Sequence, residues 1–448
     1  MPEKIIDFIK AKEIMADKIA RLDVTAKPSV FRIEIKIKPI DLIDWLEVQN
    51  SVVKIYGVNQ DNTAAIAGIG EALRVHAGKI DDFAYVFKQL RSYLTPQYPY
   101  MQWYGGFCFD DSHLDSHWKN FGAYRFVLPR FELARDGNKI IFCCNLIGEL
   151  LESVREDILK ELHCIQVNPK SSKNVFTTFS RKDLPSKEQW NHNISTVLNG
   201  IKIGNYKKIV LARKTVLKFS KRVNPFEIFR ELYKVTPNSY HFYFQFEGTI
   251  FLGASPERLY RRQGRKILSE AIAGTSPRGK TARQDKVYKV RLFNSSKNNL
   301  EHQFVVTAIK NRLGPLCVKL HNKQKPQVIS IGNGHHLMTP FEGDINGNVS
   351  DEDILKTLHP TPAVAGTPQD KALAVVRRLE RFSRGWYAGP LGYVGLDWTE
   401  FVVGIRSALI KGKEMSVYAG AGIVQGSKSK EEWLEVENKI SNFIKVIK

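Results

Sequence analysis

YHFYFQFEGTIFLGASPERLYRR, residues 240–262, is the stretch that decides the fold. It reads as strand, and several similar runs surround it. KIVLARKTVLKF (208–219) precedes it; KILSEAIAGTSPRG (266–279), GYVGLDWTEFVVGIRSALI (392–410) and MSVYAGAGIVQGS (415–427) follow. Helical patterns fall between them at about 281–313, 351–358, 368–382 and 430–446. Strands that succeed one another as hairpins and meanders favour antiparallel sheets flanked by helices over a βαβ arrangement.

The first part of the chain carries weaker signals. VFRIEIKI (30–37) alternates with period two, and VVKIYGVN (52–59) is again strand-like. In IAGIGEALRVHAG (66–78), Gly68 and Gly70 precede what reads as a helical pattern; with no dinucleotide-binding unit around it, a tight turn is expected. Asp136-Gly137-Asn138 marks a hairpin within 123–146. Residues 151–163 and 187–204 read as helices. The polar segment 165–185 (QVNPKSSKN within it) reads as a connection, dividing an N-terminal portion, 1–185, from a catalytic portion, 186–448, of one intertwined fold.

The composition is that of an ordinary globular protein: 448 residues, 43% hydrophobic and 25% charged, enough to build a large core. No apolar run reaches about 18 residues, so no membrane-spanning helix is expected. The N-terminus is amphipathic (Ile5, Ile6, Ile9, Ile14, Ile19) and lacks signal-peptide features, so it reads as a packed helix. Five cysteines without a C-x-x-C fit neither a disulfide scaffold nor a zinc site, and point to the reducing cytoplasm. The net charge of +21 raises nucleic-acid binding as a rival. The basic residues are spread out, however, and the densest stretch, RRQGRK (261–266), sits where a hairpin turn belongs, so no nucleic-acid partner is expected. A basic surface also steers small anions.

Several polar residues stand where apolar ones would be ordinary. Lys208 is the last residue before the apolar run Ile209-Val210-Leu211-Ala212; it either ends a strand at the surface or points into a pocket. Glu257 follows FLGASP, as a solvated strand end or a buried acid. Glu301 shares a helical stripe with Val305 and Ala308, where a carboxylate is a surface group, paired, or a ligand. Glu432, Glu435 and Lys439 form one stripe beside Trp433, Val436, Ile440 and Phe443; a surface ion pair from Glu435 to Lys439 is worth about 0.2–0.5 kcal/mol. Arg406 lies inside an apparent apolar strand, exposed or holding a carboxylate. Tyr387 is a core aromatic or a hydroxyl donor. His335 and His336 are adjacent on a strand and point to opposite faces, so they do not ligate one metal together. AIAGTSPRG and VYAGAGIVQGS each supply a Gly-rich turn after a strand, able to let a ligand approach the backbone.

The order and wording of these stretches go further than any one of them. KIVLAR, GASPERL, AIAGTSPRG, SSKNNLEHQFVV, LHPTPAVAGTP, RGWYAGPLGYVG, GIRSAL and YAGAGIVQGSKSKEEWLEVENKI, within about Lys208–Lys439, resemble the chorismate-utilising enzymes. QWYGGFCFD and VLPRFEL extend the resemblance to the N-terminal portion. It implies an α+β, anthranilate synthase component I-like fold: two large, stacked, mainly antiparallel sheets with helices outside. It also implies a site for chorismate with one Mg²⁺.

Within that family the resemblance is to isochorismate synthases of menaquinone or siderophore pathways, with salicylate synthase as the alternative. Aminodeoxychorismate synthases often carry a nucleophilic lysine where this chain has Ala273, and amine-using relatives lack a lysine at the place of Lys208. The implied roles are Lys208 as the base that activates water and Glu257 as the acid that protonates the departing C4 hydroxyl. A lysine in such a role must lose its proton well below the usual value of about 10.4, and the acid must be buried enough to stay protonated. Glu301 and Glu435 resemble direct Mg²⁺ ligands, with Glu432 behind through water. Tyr387, Arg406, Gly422 and Lys439 are placed on substrate carboxylates, and Gly274, Thr275 and His336 around the ring and metal pocket. Asn298 departs from the family, several members of which have an acid there; this lowers the negative charge near the metal. A monomer without a glutaminase partner is expected.

Overall fold

The computed structural model describes residues 5–167, 178–323, 325–332 and 334–447. Two antiparallel sheets dominate it. The first runs in the order Thr25–Ile37, Lys139–Leu150, Phe131–Asp136, Ala64–Ile69, Val53–Val58, Tyr240–Phe246, Thr249–Ser255, Ser407–Lys411, Glu414–Ile423, Lys208–Phe219 and Gly366–Thr367, with Phe179–Leu184 also pairing to Lys208–Phe219. The second runs Cys317–Asn322, Gly334–Ile345, Lys266–Pro277, Arg258–Gln263, Trp398–Val403, Pro390–Gly395, Gln102–Phe107, Tyr124–Leu128 and Leu73–Ala77, with Gln327–Ile331 also pairing to Gly334–Ile345. Every strand pair in both is antiparallel. Residues from both ends of the chain are hydrogen-bonded within each sheet: Val53–Val58 pairs with Tyr240–Phe246, and Gln102–Phe107 with Pro390–Gly395.

The stretch 240–262 forms three strands, Tyr240–Phe246 and Thr249–Ser255 in the first sheet and Arg258–Gln263 in the second, and their aromatic and β-branched residues suit a buried pleat. Its hairpin turns at Gly248 (φ +76°), and Gly137 (φ +56°) turns the hairpin expected at Asp136-Gly137-Asn138. Aromatic rings fill part of the core. Phe121 meets Trp386 at 5.0 Å and Trp118 meets Phe251 at 5.2 Å, both edge to face. Truncating one such fully buried tryptophan costs roughly 3–5 kcal/mol.

The N-terminal amphipathic segment is the helix Phe8–Ala20, capped by Asp7 and burying Phe8, Ala11, Met15 and Ile19. The expected later helices are found at Ala282–Asn294, Ser296–Leu313, Asp351–Leu358, Gln369–Leu379 and Ser429–Val446. Four expectations are corrected. The pattern after Gly70 is the strand Leu73–Ala77, because its alternate side chains face a sheet. The connection 165–185 is not all loop: Phe179–Leu184 is an edge strand, while 168–177 lie outside the described residues. The Gly-rich segments are parts of the strands Lys266–Pro277 and Glu414–Ile423 rather than turns after them. Arg406 lies not inside a strand but in the connection between Trp398–Val403 and Ser407–Lys411, at φ +53°.

Candidate active site

Where the Lys208 strand, the Glu414–Ile423 strand, the Lys266–Pro277 strand and the helices at 296–313 and 429–446 converge, they enclose a cavity of about 670 Å³, mouth included. Glu257, Gly274, Thr275, Glu301, His336, Tyr387, Arg406, Gly422, Glu435 and Lys439 line it. Of the acid, base, metal and substrate residues that the resemblance implies, Lys208 and Glu432 stand outside this lining. Lys208 is fully buried directly behind it, with Nζ 3.0 Å from Glu301 Oε1. Glu432, 1% exposed, is held from behind by Lys297 Nζ at 2.6 Å.

Two glycines make this arrangement possible. Gly422 lies opposite Val210 in the ladder, and a Cβ there would sit 2.3 Å from Glu301 Oε1 and 2.9 Å from Lys208 Cε. Only a glycine lets the Lys208–Glu301 pair pass close over this strand. Gly274 (φ +76°) sits at an irregularity in the pairing with Gly334–Ile345, where the register shifts between Ala273 and Thr275. Asn298, which bonds Ser295 Oγ with its amide at 2.8 Å, stands against this glycine.

Glu257 is an acid in an apolar and negatively biased setting. It is 2% exposed, and its Oε1 has no hydrogen-bond partner among the described residues. Burial, reinforced by the charge of Glu270, pushes its carboxyl up to about 8; Lys208 and Lys439 pull the other way and lose. Its backbone is fixed: its N–H donates to Ser255 Oγ (3.2 Å) and its carbonyl accepts from Val403 N–H (3.0 Å).

The carboxylates and ammonium groups interleave. Glu301 faces Lys208, Glu435 faces Lys439 at 2.7 Å and Glu432 faces Lys297. Burial pushes Glu435 up, but Lys439, Lys297 and Arg406 outweigh it and hold the carboxyl below its usual value. Burial and Glu435 together raise Glu432 against the pull of Lys297. Lys208 Nζ has no well-aligned hydrogen-bond acceptor among the described residues, although its ion pair is close. A buried ammonium so placed has a donor left for water or a ligand.

A cation without a partner among the described residues faces the cavity. The Arg406 guanidinium makes no hydrogen bond or ion pair among the described residues, and burial lowers its hold on its proton despite Glu435. The Tyr387 hydroxyl also lacks a partner there, and burial pushes it up to about 12. His336 is driven down to about 3 by burial and by Arg406 and Lys439; it is therefore neutral, and its Nδ1 lies 3.2 Å from Thr275 Oγ1. His335 points the other way, to Asp285 (3.0 Å) and Ser330 (2.9 Å), as the strand alternation requires.

Three expected metal ligands are not gathered into one cluster: among the described residues no three His, Cys, Asp or Glu side chains form a ready metal site. Glu301 and Glu435 nevertheless open into the same cavity, and an all-oxygen pair of carboxylates completed by water and a ligand suits Mg²⁺. Sequence reasoning missed the apolar wall, Val210, Pro256, Ile272, Ala363, Val364 and Ile405, although AIAGT and PAVAG had been noted. It also missed Lys297, one residue before Asn298, for which no pattern signal exists.

This chain belongs to the chorismate binding enzyme family, whose model matches residues 17–448. Its relatives narrow the class. It is 34% identical to "Isochorismate synthase MenF" of Bacillus subtilis, over 77% of this chain and 74% of that protein. A solved structure of MenF, described as the menaquinone-specific isochorismate synthase from Escherichia coli, superposes with a TM-score of 0.88 at 30% identity, covering 98% of this chain and 99% of the other. Anthranilate synthase component I from Streptococcus pneumoniae, at 20% identity and TM-score 0.66 over 99% of each chain, shares the fold. The α+β architecture expected from sequence is the architecture observed.

Proposed function

We propose that this protein is an isochorismate synthase, isomerising chorismate to isochorismate, and that its cavity carries out the reaction with Lys208 as base and Glu257 as acid. The observation that carries the reading is a carboxyl held protonated to about 8 in the same cavity as an unpartnered guanidinium, with a buried lysine behind its wall. The relatives named isochorismate synthase span most of the chain and support the same choice.

Chorismate carries two carboxylates. Arg406, Lys439 and the Tyr387 hydroxyl offer them charge-assisted hydrogen bonds. Lys208 in its neutral form takes a proton from a water molecule as that water forms a bond to C2 of the ring. The ring double bonds shift, the C4–O bond breaks, and Glu257 gives its proton to the departing oxygen, which leaves as water. One water enters and one leaves, so the net change is isomerisation; afterwards Lys208 releases its proton and Glu257 regains one through solvent. Glu301 and Glu435, with Glu432 behind them, would hold Mg²⁺, whose chemistry here is to neutralise the ring carboxylate. Neutral His336 and Thr275 would border the ring without adding charge.

The superposition on the menaquinone-specific enzyme supports quinone synthesis as the destination of the product. Among the described residues no helix is long and apolar enough to cross a membrane. Because both sheets draw strands from 1–185 and from 186–448, we read the two portions as one folding unit. The test is incubation with chorismate and MgCl₂ and separation of the products by chromatography. Isochorismate alone, lost on chelation with EDTA and restored by Mg²⁺, is expected; salicylate with pyruvate would assign the alternative activity, and no turnover would refute both.

A further inference from the structure

Behind Glu257, away from the cavity, lies a second acid that the reaction does not touch. Glu270 is mostly buried, and is not part of the cavity wall. Its two oxygens grip one residue at two points: Oε2 accepts from the backbone N–H of Arg258 (3.3 Å) and Oε1 from Arg258 Nη1 (2.9 Å). Arg258 in turn donates through Nε to Glu400 (2.8 Å), which also accepts from Tyr240 (3.4 Å) and Tyr393 (3.3 Å). Arg258 is the residue immediately after Glu257. The peptide that carries the acid is thus fixed on three sides, by Ser255, by Val403 and by Glu270. Arg258 lies between the two carboxylates, and Arg261 also acts on Glu270.

We propose that Glu270 is the positioning residue of the general acid: it clamps the Glu257–Arg258 peptide so that the Glu257 carboxyl stands in the cavity without a protein partner, and it sets a fixed negative charge behind that carboxyl. The inference rests on the reading of Glu257 as the acid. The charges that face Glu257 from the packed elements are Lys208 and Lys439, which favour its ionised form, and Glu270, which disfavours it. Glu301, Glu435, Arg406 and neutral His336 share the cavity. Burial raises the Glu270 carboxyl as well, with Glu400 adding to the rise; the two-point grip of Arg258, helped by Arg261, offsets part of it, and the ion pair with Arg258 favours the ionised form. Without that charge only burial would oppose the two lysines at Glu257.

The experiment is the pH profile of kcat and kcat/KM for chorismate, in the full chain with Mg²⁺, for the wild type, Glu270→Gln, Glu270→Asp and Glu257→Gln. Glu270→Gln keeps an oxygen for the Arg258 N–H and removes the charge. Its alkaline limb moves to lower pH by about one pH unit, with KM within about twofold of the wild type. Glu270→Asp keeps the charge, so its limb stays within a few tenths of the wild type, but the shorter side chain loosens the clamp and kcat falls by about tenfold. An unmoved limb in Glu270→Gln, or equal limb shifts in the two variants, overturns the inference. Should Glu270→Gln fail to fold, the aspartate variant decides: a lowered kcat at wild-type KM is expected, and an unchanged kcat overturns the proposal. Glu257→Gln separates this from the larger reading: an active Glu257→Gln removes Glu257 as the acid, whereas an inactive one beside an unmoved limb in Glu270→Gln removes only the role of Glu270.

Discussion

Replacing Glu257 by glutamine should make the protein more stable as it makes it inactive, and the gain should depend on pH in a defined way. In the unfolded chain a glutamate loses its proton near 4.5; in the folded protein burial and Glu270 hold the proton to about 8. Between these values the folded state binds a proton that the unfolded state has released, so wild-type stability falls as pH rises, by up to tenfold in the folding constant per pH unit. From 4.5 to 7 the ceiling on this cost is roughly 3 kcal/mol. Glutamine is neutral in both states and escapes the cost. The expected stability difference between variant and wild type is therefore flat below about pH 4.5, grows in favour of Glu257→Gln up to about pH 8, and is flat again above it. The assay is the urea midpoint of both proteins at matched ionic strength from pH 4 to 9, with no substrate or Mg²⁺ present. A difference that stays constant from pH 5 to 8 would refute the reasoning, because it would mean that Glu257 ionises normally in the folded state.

The remaining expectations concern the cavity walls. Lys208→Ala should lower kcat by about 10²–10⁴-fold while far-UV circular dichroism stays that of the wild type; near-normal turnover would remove Lys208 as the base. Arg406→Met should raise KM for chorismate on the order of 10- to 100-fold, the loss of charge-assisted bonds to a carboxylate, and isothermal titration should show the same drop in affinity; an unchanged KM would mean that Arg406 does not meet the substrate. Gly422→Ala sets a methyl group 2.3 Å from Glu301 Oε1, the far end of a flexible side chain. The protein should therefore fold with a modest change in Tm while kcat falls at least tenfold; the two readings together test whether the Lys208–Glu301 pair needs that glycine.

Much of the fold was legible because strand and helix periodicities survive in the sequence. The hairpin at Asp136-Gly137-Asn138 and the helices at 282–313 and 429–446 fall where turn residues and apolar stripes place them. Leu73–Ala77 was misread because a strand so short carries too few alternations to distinguish it from a helix. Phe179–Leu184 was missed because an edge strand keeps one row of side chains in water and so reads as polar loop.

By itself the sequence singled out residues that meet in one cavity. Ordered stretches such as GASPERL, SSKNNLEHQFVV and the Glu432–Lys439 stripe mark Glu257, Glu301, Glu435 and Lys439. Tertiary structure decided what those residues are electrically. Lys208 and Glu257 are some fifty positions apart, and neither apolar run reveals that one is paired to Glu301 over Gly422 while the other is left unpaired against Glu270. Ionisation depends on desolvation and on charges within a few ångströms, and these are set by which strands lie side by side, not by neighbours along the chain.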